Sequence, residues 1–357
     1  MQTILKNRFT QHLTILSITM AIKNFYNLLV LLVVLTSCKK NEKQFFTIQG
    51  EAQGSTYAIK YIAFEEKVTK KTIDSLLTAF DLSLSTYRKD SKISKINSGD
   101  STVVADDFFV ATFQISKQIY KETNGLFDPT IGVLVNAYGF GPNRQHKNLN
   151  QKQMDSLLNY VGFDKIILNS NHTITKKNKE TYIDFNAIAQ GYSVDVVINY
   201  LKSKGIQNAI VEIGGELFAL GKNTIANKNW IVGIDDPLQK PEERSLIAKV
   251  NLENLGMATS GNYRKVMIDE KTGEKFVHII NPKTGFAQKN NVLSATVLSK
   301  TAGFSDGYAT AFMLMSLDES KTFLKDHPEL HVMLLYVDAN NIMQQFTTKN
   351  FKSLIKE

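Results

Sequence analysis

Strand-like and helix-like stretches interleave along this chain without alternating one for one. That irregular order argues against a doubly wound parallel sheet and for an α+β fold. Period-two runs at Phe45–Gln49 and Thr56–Ala63, joined around Gly50 and Gly54, predict a hairpin. Ile73, Leu76, Leu77 and Phe80, spaced by three and four, predict a helix over Lys70–Leu84. Helices are also expected at Asp106–Thr123, with Asn124-Gly125 as its stop, and at Gln153–Tyr160, Ala187–Lys204, Asp306–Met315 and Asp318–Lys325. Strands are expected at Tyr182–Phe185, Ala209–Ile213, Trp230–Ile234, Leu246–Leu252, Phe276–Ile280 and Val292–Leu298. A closing hairpin pairs His331–Val337 with Ile342–Phe346. Polar stretches at 141–151, 222–229 and 239–243 read as surface loops. With no Pro/Gly/Ser linker and 43% apolar residues, residues 45–357 read as a single compact two-lobed domain.

The lone cysteine, Cys38, excludes an internal disulfide and a cysteine metal site. Its setting suggests a different role. Lys23, the apolar run Leu28–Leu35 and the small residues Thr36 and Ser37 are the parts of a secretory signal. The run is too short to cross a bilayer comfortably, which takes ~20 residues. Leu35-Thr36-Ser37-Cys38 resembles the lipobox of bacterial lipoproteins, whose cysteine becomes the lipid-bearing N-terminus; a plain signal or anchor helix is the alternative. Residues 1–37 are then signal peptide, with Met20 the true start, since Met20-Ala21-Ile22-Lys23 makes a normal basic n-region. Residues 38–44 form a lipidated tether. The expected location is the cell envelope, lipid-anchored to a bacterial membrane and facing the periplasm. The formal net charge is +8, and Lys6, Arg8 and Lys23 of the signal supply part of it. No block of like charges occurs, so nothing points to nucleic acid.

Five segments mix glycine, small polar residues and acids where strands end. In the segment from Ile183 to Asp195, Asp184 could hold a ligand donor, or Asp184 or Asn186 could cap the next helix. In Glu212-Ile213-Gly214-Gly215-Glu216, the paired glycines imply a tight turn or a place where something presses on the backbone. Thr259-Ser260-Gly261 offers hydroxyl and N–H groups to an anion, or is an ordinary turn. His278 ends a strand before the turn residues Asn281-Pro282-Lys283-Thr284-Gly285. A lone histidine of this kind serves structure more often than catalysis. Asp306 and Thr310, four apart on a helix, share a face. A carboxylate and a hydroxyl are oxygen ligands that suit magnesium, although Asp306 could also be a first-turn cap.

The order of these segments carries more than any one of them. Gln53-Gly54-Ser55-Thr56-Tyr57, Ser85-Thr86-Tyr87-Arg88, Ile96-Asn97, Gly125-Leu126-Phe127-Asp128-Pro129-Thr130 and Tyr138-Gly139-Phe140-Gly141 precede the five in turn. Together they resemble the FAD:protein FMN transferase (ApbE) family over roughly residues 45–320. The resemblance implies magnesium-dependent transfer of FMN from FAD to a threonine hydroxyl of an extracytoplasmic protein, with release of AMP. Expected acceptors are subunits of membrane redox pumps or extracytoplasmic flavoproteins. It also implies site roles. Gln53, Tyr87, Leu126, Phe127, Asp128, Asp184 and Ile280 would contact FAD. The Ala187 carbonyl, Asp306 and Thr310 would hold the metal, and His278 would take the acceptor proton.

Two positions depart from the family pattern. Gln190 stands where many relatives carry lysine, so a positive contact to FAD is replaced by an amide. Ala309 stands where some carry a second carboxylate, which bears on metal count and affinity. An FAD pyrophosphatase, with water as acceptor, is the nearest alternative. A non-catalytic flavin-binding lipoprotein or a purely structural lipoprotein follows.

Overall fold

The computed structural model describes residues 17–26, 42–142, 149–239, 245–261, 266–268, 275–277, 279–286 and 291–356. Cys38 and His278 lie outside the described residues. The strands are β1 (Gln44–Ala52), β2 (Ser55–Ala63), β3 (Ile166–Leu168), β4 (Ile174–Lys176), β5 (Ala209–Ile213), β6 (Glu216–Leu220) and β7 (Trp230–Asp235). They continue with β8 (Leu246–Leu252), β9 (Leu255–Gly261), β10 (Val266–Ile268), β11 (Lys275–Val277), β12 (Val292–Ser299), β13 (His331–Val337) and β14 (Met343–Thr347). The helices are α1 (Lys70–Leu84), α2 (Lys92–Asn97), α3 (Asp107–Glu122), α4 (Gly132–Ala137) and α5 (Gln151–Leu158). Then come α6 (Ala189–Ser203), α7 (Ala302–Phe312), α8 (Leu317–Asp326) and α9 (Lys349–Lys352). Residues 17–26, in a separate N-terminal unit, are helical and exposed. No helix among the described residues is long and apolar enough to cross a membrane.

Eight strands form one sheet in the order β1-β2-β5-β6-β9-β12-β13-β14, each neighbour antiparallel. In β6 both faces are buried, which explains its unbroken run Leu217-Phe218-Ala219-Leu220. Successive side chains point to opposite faces. Phe218 and Leu220 meet Val194, Val197 and Leu201 of α6. Leu217 and Ala219 meet Trp230, Val250 and Leu252 of the β7–β8 hairpin and Phe351 of α9. Helix α7 lies between the sheet and α3, where Ala309 and Phe312 share a core with Ala295, Val297 and Ile119. A smaller cluster joins Leu134, Tyr138, Met154, Val161 and Ile280.

Several expectations change. The Tyr182–Phe185 strand is absent: Tyr182 makes one isolated bridge, to Ile131. The Asn97 amide does the pairing instead, donating to the Ile183 carbonyl and accepting from its N–H, both at 2.8 Å. Of the strand expected at Phe276–Ile280, Phe276 and Val277 lie in β11, whereas Ile279 is outside any strand. Thr259-Ser260-Gly261 is not a turn but the end of β9, deep in the sheet. Helix α7 begins at Ala302, so Asp306 sits in its second turn and Thr301 is the cap, accepting from Phe304 N–H.

Candidate functional site

The Gly214-Gly215 pair makes a two-residue hairpin turn between β5 and β6, with φ of +61° and +107°. Glycine adopts those angles without a Cβ penalty. A Cβ on Gly214 would also collide with the Gln190 side chain. The paired glycines therefore serve both turn geometry and close packing, and they aim Glu216 inward.

Glu216 lines a cavity of about 290 Å³, at the small end of ligand sites. Its apolar walls come from Leu126, Phe127, Ile131, Val135, Phe140, Ile280 and Leu314, with Tyr87 at the rim. Its polar lining comes from Asp128, Asp184, Glu216, Asp306, Gln190, Thr259, Ser260 and Thr310, beside Ala187. Ten residues expected from the sequence thus meet in one space. Gln53 is not among the lining residues. It tips the β1–β2 hairpin at φ +55°, its Oε1 accepting from Ser193 Oγ at 3.2 Å, while its buried Nε2 has no hydrogen-bond partner.

Each wall is fixed locally. Tyr87, 54% exposed, donates its hydroxyl to the Phe140 carbonyl at 3.1 Å, tying two loops together. Asp184 donates its N–H to the Pro129 carbonyl at 2.7 Å. Its Oδ1 accepts the Asn186 N–H at 2.8 Å. It therefore closes a local turn and does not cap α6, whose N-cap residue is Ile188. Asp306 Oδ2 accepts the Gly191 N–H at 2.9 Å. Thr310 Oγ1 lies 3.4 Å from Ser260 Oγ.

Asp128 Oδ1 accepts from the N–H and hydroxyl of Thr130, at 2.8 and 2.6 Å. Burial nevertheless pushes its carboxyl up from 3.8 to about 6, with the Thr130 bonds pulling the other way. The folded protein then binds this proton more tightly than the unfolded chain does. Its contribution is favourable below the unfolded value and is lost as pH rises through about 6. The Asp128→Asn protein, free of metal, should gain on the wild type by ~2 kcal/mol in urea melts between about pH 4.5 and about pH 7.5. A constant difference across that range would disprove the assignment.

Sequence reasoning gave Asp195 no role. It is 7% exposed and accepts the Ala302 and Gly303 N–H groups, each at 2.8 Å. Its only signal was an acid inside an otherwise apolar stretch of helix. Glu216 had been visible only as part of the glycine turn.

Four carboxylates line the cavity, and no Lys, Arg or His does so among the described residues. A phosphate-bearing ligand there would need a cation. No cluster of three or more His, Cys, Asp or Glu suited to a metal occurs among the described residues. The donors expected from the sequence, the Asp306 carboxylate, the Thr310 hydroxyl and main-chain oxygen at Ala187, all belong to the lining of this one cavity. All are hard oxygens, of the kind that leaves magnesium its waters and substrate phosphates. That donor chemistry fits the ion.

Residues 53–334 match the sequence model of the ApbE family. The FAD:protein FMN transferase of Haemophilus influenzae is 35% identical over 299 residues, covering 80% of this chain and 85% of that one. The enzyme of that name from Vibrio cholerae is 32% identical, with 94% and 100% covered. The solved flavin transferase ApbE from Vibrio cholerae superposes with a TM-score of 0.76 at 30% identity, over 88% of this chain and all of that one. The flavinyl transferase ApbE of Pseudomonas stutzeri, in its apo form, gives 0.76 at 26% identity, over 87% of this chain and 97% of that one.

Proposed function

The chain belongs to the ApbE family, and from that premise we propose that it transfers FMN from FAD to a threonine hydroxyl of a protein acceptor and releases AMP. The observation that carries this reading is the cavity itself: apolar walls for a flavin, and beside them carboxylate and hydroxyl oxygens with no cation among the described lining residues. Walls of Leu126, Phe127, Ile131 and Phe140 can bury the ring system and exclude water from it. Tyr87 can stack on an exposed face. Asp184 and Gln190 can orient polar groups of the ligand.

In the reaction the acceptor oxygen forms a bond to the phosphorus on the FMN side. The bond from that phosphorus to the bridging oxygen breaks, and AMP leaves with the electron pair. The acceptor proton passes to a base, the part assigned to His278 by the family resemblance. Such a transfer depends on alignment and charge neutralisation more than on covalent help from the enzyme. Magnesium held by Asp306, Thr310 and the Ala187 carbonyl would supply that neutralisation. The Leu35-Thr36-Ser37-Cys38 segment supports lipid anchoring at Cys38, so the acceptor would be an envelope protein on the periplasmic side.

The test is to incubate the purified protein with FAD, magnesium and a threonine-bearing acceptor domain. Covalent flavin is read by fluorescence in a denaturing gel and AMP by chromatography. A fluorescent acceptor band that vanishes with EDTA is expected. AMP formed equally with and without acceptor, and no band, would replace transfer by hydrolysis.

A further inference from the structure

Helices α6 and α7 hold each other's N-termini through buried carboxylates. Asp306 of α7 accepts the Gly191 N–H in the first turn of α6, at 2.9 Å. Asp195, one turn further along α6, accepts the N–H groups of Ala302 and Gly303 in the first turn of α7, at 2.8 Å each. First-turn N–H groups have no partner inside their own helix. The cap of α7, Thr301, reaches only Phe304, and the N-cap residue of α6, Ile188, makes no side-chain cap bond. Each helix therefore relies on the other's carboxylate.

The contact is close enough to fix position. A Cβ on Gly191 would meet the Ala302 carbonyl and lie 2.7 Å from Asp306 Cβ. A Cβ on Gly256, in β9 beneath, would lie 2.5 Å from the Thr301 carbonyl carbon. Helix α7 can neither rise from the sheet nor slide along α6 without breaking the Asp195 bonds. Any such shift would carry Asp306 and Thr310 with it.

We propose that Asp195 is a positioning residue for flavin transfer, its carboxylate setting the axial placement of α7 and thereby the geometry in which Asp306 and Thr310 meet the metal. This rests on the reading that these two side chains are metal ligands. A residue serving stability alone would lower melting temperature without changing how the folded protein binds metal.

The experiment compares wild type with Asp195→Asn, which keeps the volume and loses one acceptor. Binding of Mn²⁺ in the presence of FAD is read from the free-ion electron paramagnetic resonance signal, alongside thermal melting and the magnesium dependence of AMP release. The dissociation constant for Mn²⁺ should rise about tenfold, the low end of the range for losing a group that orients a ligand, because Asp195 acts through the backbone of α7. Excess magnesium should restore part of the turnover. A folded Asp195→Asn protein that binds Mn²⁺ within about twofold of wild type overturns the proposal, as does a wild type that binds none. Should Asp195→Asn not fold, Asp195→Glu decides: it keeps the carboxylate but lengthens its reach to the Ala302 and Gly303 N–H groups, so weaker Mn²⁺ binding supports the proposal and unchanged binding overturns it. Failure of the transferase reading looks different: wild type would bind Mn²⁺ yet flavinylate nothing.

Discussion

Asp306→Ala is expected to lower FMN transfer by ~10³-fold or more, the loss that follows when a metal ligand worth several kcal/mol of charge stabilisation is removed. Asp306 lines the cavity within a turn of Thr310, and its Oδ2 also receives the Gly191 N–H. The alanine variant loses both functions, so its melting point should fall as well. Asp306→Asn separates them. The amide oxygen can still accept from Gly191, which preserves much of the stability, but the negative charge that attracts a cation is gone. Transfer by the asparagine protein should therefore stay close to that of the alanine protein while its melting point stays close to wild type. Initial rates of AMP release and acceptor fluorescence measure the first quantity, and thermal melting the second. Transfer by Asp306→Ala within about tenfold of wild type would remove Asp306 from the chemistry.

How far the sequence foretold this arrangement depends on the kind of signal. Helix α1 was legible to the residue, because Ile73, Leu77 and Phe80 repeat at helical spacing and one face is buried. The β1–β2 hairpin was legible from its period-two runs and from Gly54, which takes φ +71° in the turn, whereas Gly50, also expected in that turn, lies inside β1. Strand β9 was not. Thr259, Ser260 and Gly261 are small and polar, which suggests a turn, yet small residues are what the floor beneath α7 requires, as the tight fit of Gly256 against Ala302 shows. The start of α7 was misplaced for a related reason. Ala302 and Gly303 carry no apolar periodicity, and their N–H groups are satisfied by Asp195, more than a hundred residues earlier. Asn97 pairing with Ile183 was invisible in the same way. No local pattern encodes a side chain that replaces a strand. The site residues were reachable through the ordered family motifs, and ten of them line one cavity. Asp195 closes the first of the five segments, yet its role was not legible, because its partners are backbone atoms whose identity the sequence does not display.

The junction of α6 and α7 also makes a single added methyl group costly. Gly191 lies inside α6, where replacing glycine by alanine ordinarily gains ~0.5–1 kcal/mol through helix propensity. Here the sign should reverse. The added Cβ would sit against the Ala302 carbonyl oxygen and 2.7 Å from Asp306 Cβ. Neither is the free end of a flexible side chain, so neither can swing away. Helix α7 is backed by the sheet and by α3, with Ala309 and Phe312 fully buried between them, so it cannot retreat. Overpacking of this kind costs ~3 kcal/mol or more when the backbone must move. Gly191→Ala should accordingly melt ~5 °C or more below wild type and lose transfer, because the displaced helix carries Asp306 and Thr310. Gly303→Ala provides the control within the same junction. Its nearest neighbours, Asp195 Oδ2 at 3.2 Å and Tyr192 at 3.3 Å, need yield only slightly, so its melting point should stay within a few degrees of wild type. Thermal melts of the two variants side by side decide the matter. A Gly191→Ala protein as stable as Gly303→Ala would mean that the two helices are free to separate, and that the close fit between them does not hold the site in place.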